Sequence, residues 1–71
     1  MAPTAEEWIR ALAARLGGVP PDGAAIDALL AMAGIAAHAS ERTAAPISTW
    51  MAAGAGMTPT EALEVAKALA A

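Results

Sequence analysis

At 71 residues, 7.0 kDa and no cysteine, the chain has room for one small domain and no disulfide or thiolate metal site. Seven acidic residues against four basic ones give a formal charge of -3, which leaves no electrostatic footprint for a phosphate backbone and excludes a nucleic-acid binder. The hydrophobic fraction of 58% comes largely from alanine, whose small side chain buries little area, so the core must be thin and rely on close helix approach.

In chain order, Thr4 followed by Glu7 forms a capping box and starts a first helix over residues 4–16. Trp8, Ile9, Leu12 and Leu16 recur at helical spacing and predict a buried stripe, with Glu6 and Arg10 paired on the wet side. Gly17-Gly18 ends the helix, and Val19-Pro20-Pro21 is a stiff connector. Asp22 caps a second helix over 23–39, in which Ile26, Leu29, Leu30, Ala33 and Ala37 face inward. Truncating Leu30 to alanine is therefore expected to cost roughly 2–5 kcal/mol. The second half of this helix is apolar nearly all round, which places it centrally in the fold or against another subunit. Gly34 inside it weakens the helix by about 1 kcal/mol relative to alanine, an expense offset where another backbone packs closely.

The second helix fails between Ala39 and Thr43, and Pro46 is expected as the first residue of a third helix over 46–54. Ile47, Trp50, Met51 and Gly54 share one face of it. Thr58-Pro59-Thr60-Glu61 is another capping box, opening a fourth helix over 58–70 with Leu63, Ala66, Leu69 and Ala70 inward. Four helices with short connectors predict one all-α domain, a compact bundle spanning residues 1–71. The uncharged stretch 43–60 holds two prolines and two glycines, poor material for a membrane span, and no signal peptide is visible. A cytoplasmic setting is expected.

Residues 34–50 gather the chain's chemically distinctive side chains. His38 and Arg42 stand four apart, and Ser48 and Thr49 lie in the first turn of the third helix, so two cations and two hydroxyls could surround an anion at a helix N-terminus. The plainer and preferred reading is that His38 and Arg42 cap the last carbonyls of the second helix while Ser48 and Thr49 cap or pack locally. No orienting acid or oxyanion-hole motif accompanies His38, and a single histidine without cysteine offers no metal set, so neither catalysis nor a cofactor is expected. Leu30 and Ile35 on the second helix, with Trp50 and Met51 on the third, are the interface candidates, because a thin core and few charges predict apolar surface covered by more than one monomer. The expected partner is a second copy or a larger enzyme.

The segments W-I-R-A-L-A-A-R-L-G and A-A-H-A-S-E-R-T-A-A-P-I-S-T-W-M-A-A-G-A-G, followed by an acidic-capped last helix, make the chain resemble a small actinobacterial helical domain. That domain is found alone or appended to molybdenum-cofactor guanylyltransferase-like proteins. The resemblance implies a non-catalytic accessory role near molybdopterin nucleotide chemistry and assigns no catalytic residue. With no Gly-rich nucleotide loop, the chain is not expected to be the transferase itself.

Overall fold

The computed structural model describes all residues, 1–71, as four α-helices without strands. They are α1 (Ala5–Leu16), α2 (Gly23–Ala39), α3 (Ala44–Gly54) and α4 (Pro59–Ala70). This is the all-α bundle of four short helices that the sequence predicts, and its boundaries are set by local chemistry. The Thr4 amide donates to Glu7 Oε1 at 2.8 Å while the Glu7 amide donates to Thr4 Oγ1 at 3.1 Å. At the other end of α1, Gly17 takes a left-handed φ of 74°, which lets the Gly18 amide donate back to the Ala13 carbonyl at 2.9 Å. Asp22 Oδ1 accepts from the Ala25 amide at 2.8 Å. Thr58 and Glu61 exchange bonds of 2.8 and 3.2 Å, with Pro59 as the first helical residue of α4.

Helix α3 begins two residues earlier than expected, because the connector already turns helically. The Ala44 amide donates to the Glu41 carbonyl at 2.9 Å and the Ala45 amide to the Arg42 carbonyl at 3.1 Å, so Pro46 falls in the third helical position. That position is still within the first turn, where a missing N–H leaves no intrahelical bond unmade. Thr43 caps α3 with helical dihedrals, and its hydroxyl donates to Glu41 Oε2 at 3.4 Å rather than accepting from a first-turn amide.

Helix α2 is central. It packs against α4 and α3, which touch each other only lightly, whereas α1 makes no close backbone contact with any other helix. The radius of gyration is accordingly 12.8 Å, above the roughly 11 Å typical of a chain this long. Only Met32 (8% exposed) and Ala62 (2%) are buried, at the seam between α2 and α4.

Several expected core positions therefore lie outside. On α1, Trp8 is 60% exposed and Leu12 and Leu16 are also open, leaving Ile9 and Ala13 half-buried. Leu30 is 67% exposed, on the side of α2 that neither α3 nor α4 covers, and Ile47, Trp50 and Met51 of α3 are exposed too. In α4 the shielded positions are Ala62, Leu63 and Ala66, while Leu69 and Ala70, also expected inward, are exposed. Periodicity identifies the apolar face of a helix but not whether a neighbour stands opposite it. Gly34 likewise has open space where a Cβ would project, so no backbone of the same chain approaches it.

Candidate functional site

The expected anion-binding residues lie on either side of the junction of α2 and α3, at the end of one helix, in the connector and in the first half of the next. His38 sits in the last turn of α2 and Arg42 in the connector, both exposed and with neither side chain engaged in a hydrogen bond or ion pair. Thr49 turns inward on its own helix, donating from Oγ1 to the Pro46 carbonyl at 2.9 Å. Ser48 is half-buried with its hydroxyl unbonded. The backbone contribution is spent locally: Ala44 and Ala45 donate to Glu41 and Arg42, and Pro46 has no N–H to offer. An anion here would rest on the His38 and Arg42 side chains and Ser48, without the fan of free amides that a helix N-terminus usually presents.

A larger feature adjoins that junction. An apolar groove of about 530 Å³ runs between α2, α3 and α4, with 14 hydrophobic residues among the 16 that line it. Met32, Ile35, Ala36 and Ala39 supply its α2 wall, Ser48, Met51 and Ala52 part of its α3 wall, and Ala62, Val65 and Ala66 part of its α4 wall. It forms because α3 and α4 both lean on α2 but scarcely on each other, and because the residues at the seam are too small to fill the space between them. Ser40 and Ser48 are its only hydroxyl-bearing lining residues. Of the four interface candidates, Ile35 and Met51 line the groove; Leu30 and Trp50 lie elsewhere on the surface.

The α4 wall was read in part from sequence: Ala66, Leu69 and Ala70, expected to face inward, line the groove, whereas Ala62 and Val65 were missed. Its signal is the spacing of Ala62, Ala66 and Ala70 at every fourth residue, a stripe of small side chains opposite a similar one on α2. The groove contains no titratable side chain. The two carboxyls held below their ordinary range, Glu7 and Glu61, are both cap residues, and the cause is chiefly the backbone N–H of Thr4 or Thr58 donating to the charged form. No group of three or more His, Cys, Asp or Glu side chains comes together.

A family model described as a domain of unknown function, DUF6457, matches residues 2–71. The chain belongs to that family. The matched residues span all four helices and therefore the groove as well. Comparison with curated proteins and with solved structures finds no match.

Proposed function

We propose that this domain is a non-catalytic interaction module whose groove between α2, α3 and α4 receives an amphipathic helix. The observation that carries this role is the groove itself, an open trough with an almost wholly apolar lining in a chain that buries only two residues. Met51, Val65 and Leu69, all exposed, line this trough, and the clustering of large apolar side chains around one concavity supports its being covered by a partner. Helix-in-groove recognition needs the features present here: apolar walls, small residues that let a backbone approach, and methionines that adapt to the incoming side chains. The resemblance to domains appended to molybdenum-cofactor guanylyltransferase-like proteins supports an accessory, cytoplasmic role, in which the module assembles with itself or docks to such an enzyme.

The test is paramagnetic broadening of methyl signals by a soluble nitroxide, recorded on the full chain from low to several hundred micromolar and again with extract of the source organism. Shielding of the Ile35 and Val65 methyls, with Leu30 as a nearby reference, is the expected result. Groove methyls broadened as strongly as Leu30 under every condition remove the role.

A second role, binding of a small anion or nucleotide at His38, Arg42 and Ser48, is favoured by one observation: neither the Arg42 guanidinium nor the His38 ring has an acidic partner. Titration with inorganic phosphate or GTP should then move the His38 ring signals. Signals unmoved at millimolar ligand eliminate it.

A further inference from the structure

We infer that the occupant of the groove is helix α1 of a second copy of this chain, exchanged reciprocally, so that the folded unit is a helix-swapped dimer. This rests on the docking role proposed above and specifies its partner. Three independent features lead to it.

The first is area. A compact monomer of 7.0 kDa exposes about 4,000 Å² by the usual mass scaling, whereas this chain exposes 5471 Å². The excess is about 1,400 Å² per chain. Hidden in a symmetric pair, it amounts to about 2,800 Å², within the range of obligate homodimers.

The second is complementarity within one chain. Helix α1 carries an apolar stripe that nothing in the chain covers, with Trp8, Leu12 and Leu16 all exposed and the Glu6–Arg10 ion pair on the far side. Trp8 to Leu16 and Met32 to Ser40 are each eight residues apart, so the stripe and the α2 wall of the groove both run for about 12 Å. A two-ring aromatic anchor set on a helix is the kind of residue that dominates such interfaces.

The third is the tether. Ala5, Glu6, Ile9 and Arg10 of α1 border a cleft with the connector and with Ile26 near the start of α2. Ile26 and the groove residue Ile35 are nine positions apart, which at about 100° per residue puts them on opposite sides of α2. Pro20 and Pro21 stiffen the connector that holds α1 on the side away from its own groove. The groove of another molecule is under no such restraint, and two copies that each lend α1 to the other close a symmetric pair with the same patch buried on both.

The experiment is solution mass by sedimentation on the full chain, the variants Trp8→Glu and Val65→Glu, and their equimolar mixture, with helical circular dichroism on each. Trp8 and Val65 are both exposed within the single chain, so each variant should keep its helices. The wild type should sediment as two chains at tens of micromolar and each variant as one, with the mixture regaining a two-chain species. It does so because the intact α1 of Val65→Glu can enter the intact groove of Trp8→Glu. A one-chain wild type at several hundred micromolar overturns the swap; shielded groove methyls would then preserve the docking role, and unshielded ones would remove both. Two-chain mass retained by both variants also overturns it, placing the contact on another face such as that of Leu30 or Trp50. A mixture that stays at one chain does the same.

Discussion

Replacing Met32 with alanine should be the most damaging truncation in this chain. Met32 is the single large side chain shielded from water, 8% exposed on the seam where α2 meets α4. Core methionine truncations cost about 2–5 kcal/mol, and because this one borders an open groove that water can enter, about 2 kcal/mol is expected. A domain this small has roughly 3–5 kcal/mol to lose, so the variant should keep only a minor part of its stability. With a urea slope of about 1 kcal/mol/M, the midpoint should fall by about 2 M. The assay is urea unfolding followed by helical circular dichroism at a few micromolar, with Leu30→Ala as the control. Leu30 is 67% exposed, so only about a third of the 1.5–3 kcal/mol available to a fully buried leucine is at stake, roughly 0.5–1 kcal/mol. Equal losses at Met32 and Leu30 in the dissociated chain would refute this placement of the core.

Gly34→Ala should stabilise the dissociated chain by about 0.5–1 kcal/mol, since the added methyl meets nothing and alanine favours the helix; a loss in the same urea assay would reveal a backbone neighbour at that face. Thr58→Ala should cost about 1 kcal/mol while Pro59→Ala is nearly neutral, and equal effects would contradict the observed cap. Because Glu7 and Glu61 titrate below the ordinary glutamate range when folded, their contribution is complete above that range and disappears as pH falls through their lowered values. Urea midpoints taken from about pH 6 to pH 3 should therefore decline, and Glu61→Gln, which can still form the box, should flatten the acid limb. An unchanged slope in that variant would separate Glu61 from acid sensitivity.

What the sequence disclosed most fully was local. Thr4 with Glu7, Asp22, Gly17 and Thr58 with Glu61 each act within a few residues, so their spacing alone located three helix starts and one stop. The start of α3 was less legible, because it depends on carbonyls of Glu41 and Arg42 in the connector rather than on Pro46. Stripes on α1 and α3 were visible as stripes, but Trp8, Leu12 and Trp50 are exposed because burial depends on what stands opposite, a tertiary fact. The groove was half legible. Ile35 and Met51 stood out as interface candidates, whereas Ala62 and Ala66 did not, since alanine signals neither a binding surface nor a site until three helices set its methyl groups around one space. His38 and Arg42 were conspicuous by type and adjacency, yet the engaged amides beside them could be seen only in three dimensions.

The seam of methyl groups at Ala62 and its neighbours also bears on how firmly α4 is held lengthwise. Helices lock by seating tall ridges in deep furrows, and an alanine surface offers shallow relief. With Met32 as the lone peg, sliding of α4 along its neighbour meets little resistance from the seam itself. Axial alignment must then come from the chain's short hinges, above all the one after α3, where Gly56 adopts φ 78° and the Met57 amide donates to the Ala52 carbonyl at 3.1 Å. A residue inserted there would lengthen that hinge by up to about 3.5 Å and leave the rod free to shift along the seam.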